Sequence, residues 1–416
     1  MPDRRTALLV VAASGVAFVL LAALLVPWSP VAGGTPEPAS AASVFSADQV
    51  ARAEEFSRWA RTWSWSSYLL ASAVACWLGF TSTGRRLVQR LPGRWWVQVL
   101  LAVVALTLLG RVVTLPFGLL MHRHLVANGL STQDVPAWLL DVARGQAVEI
   151  AMVSVVLLVL VGSARRWRRG WPAVAGGVLA GLVLAGSYAY PVVVEPLFND
   201  FEPLAEGSLR TQILELAERE QVDVDEVLVA DASRRTTTLN AYVSGLGDTR
   251  RVVVYDNLVD DLPQEQALSV VAHELAHARH RDVLVGSTLG ALGVALAVGL
   301  GALVVGAWGR RRGLTMADPA VVPFVLALAV VAGFVASPVQ SSLSRQVELR
   351  ADVVALEVTG DPGAFIEMQR QLAIRSLSDP TPPPWSHFWF GSHPTSLQRI
   401  GLARSYEGLP QELPAS

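Results

Sequence analysis

The sequence Val270-Val271-Ala272-His273-Glu274-Leu275-Ala276-His277 contains the pattern H-E-x-x-H inside an apolar segment that suits an α-helix. Residues four apart share one face of a helix, so the imidazoles of His273 and His277 can bind one zinc ion. Glu274 follows the first histidine, where its carboxylate can reach a water on that ion. Zinc lowers the pKa of a bound water to about 7, and a carboxylate can then accept its proton. The segment therefore predicts a zinc-dependent hydrolase.

A catalytic zinc ion needs a third protein ligand and a position left free for water. The segment Ser344-Arg345-Gln346-Val347-Glu348-Leu349-Arg350-Ala351-Asp352 follows an apolar stretch and suits a helix. We predict Glu348 as the third ligand and Asp352, one turn later, as the acceptor of a hydrogen bond from a ligand histidine. Taken alone, these charges would form ion pairs on a solvated helix face. The upstream H-E-x-x-H favours the metal site.

H-E-x-x-H followed by S-R-x-x-E-x-x-A-D resembles the motifs of the type I CaaX prenyl endopeptidases, a family of integral-membrane zinc metallopeptidases. Three more segments are similar to elements of that family. They are residues 195–204, which contain P-L-F-N, the segment Leu239-Asn240-Ala241-Tyr242-Val243, which contains N-A-Y, and His393-Pro394 with Arg399, which read H-P-x-x-x-x-R. The likeness covers roughly residues 45 to 405, in matching order and spacing.

The resemblance implies roles for the remaining site residues. His393 would donate a hydrogen bond to the developing oxyanion, and Asn240 would bind a substrate carbonyl. Arg399 would bind a substrate or product carboxylate. Asp352 would support a ligand or help to protonate the leaving amine. The alternatives are a strand-end asparagine, a surface histidine and a solvated arginine. One Zn²⁺ per chain and no covalent intermediate are expected.

The composition is that of a membrane protein. The chain has 416 residues, of which 52% are hydrophobic and 16% charged, and its mean hydropathy is +0.41. The net charge of −2 gives no indication of a nucleic-acid partner. Cys76 is the single cysteine, so an intramolecular disulfide is excluded. The partners that we expect are the lipid bilayer and a peptide or protein substrate, which could carry a lipid; the oligomeric state stays open.

About seven apolar stretches approach the roughly 20 residues that a bilayer requires. They cover residues 7–27, 66–80, 96–120, 147–161, 174–189, 284–308 and 320–338. Arg4 and Arg5 precede the first stretch, as in a signal peptide, but its apolar part is longer than a signal peptide's. We therefore predict a retained membrane anchor.

The segment between residues 195 and 282 is more polar. Its pattern predicts a helix over residues 208–221 and strands over 225–230 and 251–255. Gly245-Leu246-Gly247-Asp248 is a turn signal, which predicts a hairpin between Asn240 and Tyr255. An exposed strand edge there could bind an extended peptide by adding it to the sheet.

The predicted fold is a mainly α, polytopic membrane protein of about seven transmembrane helices, with a small α+β zinc-metallopeptidase domain of gluzincin-like type. Residues 1–190 are expected to hold five transmembrane helices, and residues 191–283 the substrate-binding strand and the H-E-x-x-H helix. Residues 284–343 would add two transmembrane helices. Residues 344–416 would contain the third-ligand helix and the rest of the peptidase domain.

The predicted function is that of a membrane-embedded zinc-dependent metalloendopeptidase, acting in CaaX processing or in the cleavage of other membrane proteins. The alternative is a catalytically silent zinc-binding scaffold, against which the intact Glu274 argues. All 33 basic residues are arginines, which indicates a GC-rich and bacterial genome. Arginines cluster at residues 4–5, 85–94, 165–169 and 310–312. By the positive-inside rule these clusters are cytoplasmic, which would place the zinc domain outside the cytoplasm; family members place it on the cytosolic side.

Overall fold

The structure of the chain, a computed structural model, describes residues 4–245 and 250–407, apart from the side chains of residues 310–312. Its helices are α1 (Arg4–Leu25), α2 (Ala47–Phe80), α3 (Ser82–Gln89), α4 (Trp95–Ala127), α5 (Val135–Arg166), α6 (Trp171–Val193), α7 (Ser208–Arg219), α8 (Asp256–Asp261), α9 (Gln264–Arg279), α10 (Asp282–Arg312), α11 (Val322–Thr359), α12 (Pro362–Arg375), α13 (Pro384–Phe390) and α14 (Ser396–Glu407). Its strands are β1 (Phe201–Pro203), β2 (Glu226–Ala230), β3 (Ala241–Ser244) and β4 (Arg251–Tyr255).

Each of the seven predicted spans falls on a long helix, although the spans at 7–27 and 320–338 each extend two residues beyond their helix. Among the described residues, six helices are long and apolar enough to cross a membrane, namely α1, α4, α5, α6, α10 and α11. The seventh, α2, contains the predicted span at 66–80 in its C-terminal half. Its N-terminal half carries six charged side chains at positions 48, 52, 54, 55, 58 and 61, and these side chains favour water over lipid. The predicted fold class is confirmed, with six clear membrane helices.

The predicted domain limits do not coincide with helix ends. The limits at 190/191, 283/284 and 343/344 fall inside α6, α10 and α11. Helix α11 is continuous from the apolar segment into the segment of the third ligand, although Pro338 lies within it. The same helix therefore contains both a membrane-spanning segment and Glu348, the predicted third metal ligand.

A four-stranded mixed sheet is formed by the segment of chain between α6 and α9, with strand order β1-β2-β4-β3. Strands β2 and β4 are parallel, while β1 and β3 pair antiparallel to them on the outside. The pairing of β3 with β4 agrees with the predicted hairpin, whose turn residues 246–248 lie outside the described residues. Strand β3 packs against α9 and forms one edge of the sheet.

The core of the peptidase region lies between the sheet and helices α7, α9, α11 and α12. In α9, Ala267, Val271 and Leu275 recur every four residues and are buried in this core. His273 and His277 recur with the same spacing on the face that meets α11. Burial of the apolar stripe therefore fixes the direction in which the two imidazoles point.

The long helices run between two ends of the bundle. At one end Arg165, after α5, donates a hydrogen bond to the carbonyl of Ala317 in the α10–α11 connection (2.9 Å). At the opposite end, Thr237 donates to the carbonyl of Gly129 (2.8 Å), in the loop that joins α4 and α5. The arginine clusters lie in the first turn of α1, in and just after α3, around the end of α5 and at the end of α10. They are therefore at the end of the bundle away from the sheet.

Candidate metal centre

Helices α9 and α11 bring together His273, His277 and Glu348, with one ligand atom from each within 4.8 Å of the others. The two Nε2 atoms are 3.2 Å apart. Oε2 of Glu348 lies 3.2 Å from Nε2 of His273, and its Oε1 lies 3.6 Å from Nε2 of His277. The three ligands that the sequence predicts therefore form one cluster.

His273 is supported by Asp352 and Arg399. Oδ1 of Asp352 lies 3.0 Å from Nδ1 of His273. An ionised carboxylate can only accept a hydrogen bond, so Nδ1 carries the proton and Nε2 offers its lone pair to the cluster. The Nε of Arg399 donates to both oxygens of Asp352, at 2.8 and 3.1 Å, and its Nη2 also bonds Oδ1. Asp352 is fully buried, and this guanidinium compensates its charge.

His277 has a matching support that the sequence did not predict. Oδ2 of Asp282 lies 2.9 Å from Nδ1 of His277. The other oxygen of Asp282 accepts a hydrogen bond from Nη2 of Arg350. Nε2 of His277 is thereby also left free for the cluster.

The donor set fits a zinc ion. Zinc prefers imidazole nitrogen and carboxylate oxygen at about 2.0–2.2 Å, and two donors 3.2 Å apart at that radius subtend an angle of about 100°, close to tetrahedral. Oε2 of Glu348 is buried without a hydrogen-bond partner among the described residues. Such an atom favours a cation beside it.

The carboxylates around His273 favour a positive charge on or beside its imidazole ring. Burial and the neighbouring Arg399 lower the pKa of His273, but the adjacent carboxylates of Asp352 and Glu348 outweigh them and raise it to about 9. The Glu274 carboxyl is half-buried beside these rings. Burial raises the pKa of Glu274, and the charges of the two histidines oppose that rise. A raised pKa suits a group that must accept and then release a proton.

The remaining predicted site residues lie at different distances from the cluster. The Nε2 of His393 is 3.4 Å from Oε2 of Glu348, and its ring is 59% exposed. Its Nδ1 lies 2.9 Å from the hydroxyl of Ser392. Asn240 is exposed at the start of β3 and accepts a backbone hydrogen bond from Tyr255 (3.0 Å). The Arg399 side chain is 11% exposed and bonds Asp352, so its predicted contact with a substrate carboxylate stays a prediction.

Asp282 is the site residue that sequence reasoning missed. It lies five residues beyond His277, a spacing that no straight helix places on the same face. Arg281, the last residue of the short connection between α9 and α10, adopts a left-handed backbone conformation with φ of 55°. The chain changes direction there, and α10 starts at Asp282. The only signal in the sequence was an acidic residue at the start of an apolar stretch.

Comparison with known proteins identifies the family. Residues 203–407 match the model of peptidase family M48, and residues 34–200 match the model described as the CAAX prenyl protease N-terminal region with five membrane helices. An uncharacterized metalloprotease, YhfN of Bacillus subtilis, is 30% identical over 325 residues, which are 76% of this chain and 75% of the relative. The chain belongs to peptidase family M48.

A second relative and a solved structure agree with this assignment. The CAAX prenyl protease 1 homologue of Oryza sativa is 27% identical over 308 residues, covering 70% of this chain and 69% of the relative. The crystal structure of S. mikatae Ste24p has the same fold, with a TM-score of 0.78 and 22% identity over 96% of this chain and 99% of that chain. The resemblance to the type I CaaX prenyl endopeptidases is confirmed. This M48 protein is a membrane metalloendopeptidase with a metal cofactor, and the scaffold alternative is not favoured.

Proposed function

We propose that this M48 protein hydrolyses peptide bonds with one zinc ion per chain, held by His273, His277 and Glu348. The observation that carries the proposal is the convergence of the three ligand atoms, with the second nitrogen of each imidazole bonded to a carboxylate. Carboxylates on the outer nitrogens hold each ring in one orientation and make the inner nitrogens better ligands.

Zinc, when bound, supplies a Lewis acid that polarises the scissile carbonyl and acidifies a water. Glu274 accepts the proton of the attacking water and delivers it to the leaving nitrogen. The raised pKa of Glu274 lies closer to neutral pH than that of an ordinary carboxyl group. This favours both accepting the proton from water and releasing it to the leaving nitrogen. No side chain in this arrangement becomes covalently attached to the substrate.

His393 and Asn240 are proposed to orient the peptide. His393 borders Glu348 with an exposed ring, so it is available to donate a hydrogen bond to an oxyanion beside the metal. Asn240 precedes β3, the sheet edge that packs along α9. A substrate strand added to that edge would run beside the helix that carries H-E-x-x-H.

Asp352 and Arg399 are proposed to hold His273 in position. The guanidinium keeps Asp352 ionised inside the core, where an unpaired carboxylate would be strongly disfavoured. In this role Arg399 acts through Asp352 rather than through a substrate carboxylate.

The test is the Glu274→Gln variant, compared with wild type for zinc content and for cleavage of a peptide panel in detergent. We expect one zinc per chain in both proteins and a loss of cleavage of at least 100-fold in the variant, because the amide cannot accept the proton. Equal cleavage by both would contradict the role of Glu274. Absence of bound zinc in the wild type would contradict the zinc site.

The same panel addresses the substrate class. The family comparison supports a peptide or protein substrate reached from the membrane, and we propose that lipidated peptides are accepted alongside unmodified ones. Matched farnesylated and unmodified peptides of one sequence measure this directly. Faster cleavage of the farnesylated peptide supports CaaX-type processing, whereas indifference to the lipid supports a broader membrane-protein protease.

We propose that the protein resides in a bacterial cell membrane with the peptidase region outside the cytoplasm. The support is the position of the arginine clusters at the end of the bundle away from the sheet, which the positive-inside rule assigns to the cytoplasm. Cys76 is the single cysteine, so Cys76→Ser gives a cysteine-free background. A cysteine at position 168 should then resist an impermeant maleimide in intact cells, and one at position 202 should react; the opposite pattern would reverse the orientation.

A further inference from the structure

We propose that Asp282 and Arg350 form a second positioning pair for the metal, which acts through His277 and ties the metal centre to the membrane helices. The inference rests on the proposed zinc site and extends it to two residues that the H-E-x-x-H and E-x-x-A-D patterns do not specify. Neither residue offers an atom to the cluster of three ligands.

The contacts of Asp282 are directed to two partners. One oxygen lies 2.9 Å from Nδ1 of His277, and the other accepts a hydrogen bond from Arg350. The Asp282 side chain is 9% exposed, so each of its oxygens has a side-chain partner and little contact with water. A carboxylate held on both sides has one orientation, and it passes that constraint to the imidazole.

The local backbone explains how Asp282 reaches the ring. Helix α9 ends at Arg279, and Arg281 takes the left-handed conformation before α10 begins at Asp282. This reversal turns the first carboxylate of α10 back toward the last turn of α9. Asp282 also lies at the N-terminus of α10, where the helix dipole favours a negative charge.

Arg350 connects the pair to the third ligand. It lies on α11 two residues after Glu348 and two before Asp352, so one stretch of α11 supplies a ligand and a residue of each support. The Asp282–Arg350 contact thereby links α9, α10 and α11 at the point where α10 and α11 leave the peptidase region. A shift of either membrane helix would move His277.

The test measures zinc affinity by competition with a chelator in the full-length protein in detergent. Asp282→Asn keeps the volume and removes the charge. We expect it to bind zinc about 10- to 100-fold more weakly than wild type, the range found for carboxylates that support metal ligands. The matched control is Asp261→Asn, which breaks an ion pair of the same kind with Arg375 on the surface. It should bind zinc as wild type does.

A merely structural role gives a different result. If Asp282 only stabilised the start of α10, Asp282→Asn would lower the Tm of the metal-free protein and leave the zinc affinity of the folded protein unchanged. That outcome overturns the proposal. If Asp282→Asn does not yield folded protein, Arg350→Gln carries the test, because it leaves the carboxylate on His277 in place. We expect about threefold to tenfold weaker zinc binding, and wild-type affinity would overturn the proposal.

His277→Ala separates this inference from the zinc site itself. If His277→Ala binds zinc as tightly as wild type, His277 is not a ligand, and the proposed function fails together with the inference. If His277→Ala loses zinc while Asp282→Asn and Asp261→Asn both bind it as wild type does, only the inference fails.

Discussion

The two ligand histidines have the same kind of support at different depths. His273 is held by Asp352 and Arg399, whose side chains are 0% and 11% exposed. His277 is held by Asp282 and Arg350, which are 9% and 20% exposed and lie where α10 begins. The chemistry is shared, but the deep pair is enclosed in the core and the shallow pair sits at the junction with the membrane helices. Breaking the deep support should therefore cost more folding free energy than breaking the shallow one.

The largest effect is expected from Asp352→Ala. This variant removes the acceptor for His273 and leaves Arg399 as an unpaired charge in the core, which typically costs about 3–5 kcal/mol of folding free energy. Zinc binding should be lost with it. Thermal unfolding in detergent and metal analysis measure both effects. Asp282→Ala is the comparison, and an equal loss of stability in the two variants would remove the distinction between deep and shallow supports.

Glu220 shows what a buried carboxylate does without a guanidinium bound to it. It is fully buried, and neither of its oxygens has a hydrogen-bond partner among the described residues. Burial raises the pKa of Glu220 to about 8, although the charges of Arg279 and His273 oppose the rise.

The raised pKa predicts a pH dependence. The unfolded chain releases this proton near pH 4.5 and the folded protein near pH 8, so the contribution of Glu220 to stability falls as the pH rises between these values. Glu220→Gln should remove that decline and stabilise the protein by on the order of 3 kcal/mol at pH 7. Tm measured at pH 5 and pH 8 tests this. A variant whose Tm falls between these pH values as steeply as that of wild type would show that Glu220 does not titrate as described.

The smallest effects come from exchanging each arginine for lysine. Arg399 contacts both oxygens of Asp352, whereas Arg350 contacts Asp282 through Nη2 alone. Lysine keeps the charge but cannot reproduce a two-pronged contact. We expect Arg399→Lys to weaken zinc binding by about tenfold and Arg350→Lys by about twofold, measured by chelator competition. The reverse order would mean that the shallow support controls the site.

Much of the site could be predicted because its spacing is local. Helical periodicity alone places His273 with His277, and Glu348 with Asp352, on shared faces. One packing contact between α9 and α11 then completes the cluster. Strands β2 and β4 were also predictable, since their β-branched runs are buried in the sheet.

The remainder depends on contacts that the sequence does not encode locally. Asp282 approaches His277 through the left-handed Arg281, and Arg399 meets Asp352 across 47 positions of sequence. Helical periodicity identified the segment that contains Glu220 but could not show that this glutamate is enclosed. Strand β1 was not foreseen, because three residues that end in a proline carry no strand pattern.

The most direct test of the central claim is zinc K-edge X-ray absorption on the purified wild-type protein. The account predicts two imidazoles per zinc, with nitrogen and oxygen neighbours at about 2.0–2.2 Å and no sulfur. It also predicts the loss of the bound zinc in Glu348→Gln. Three imidazoles per zinc would contradict it, because His393 would then be a ligand rather than the residue that orients the substrate.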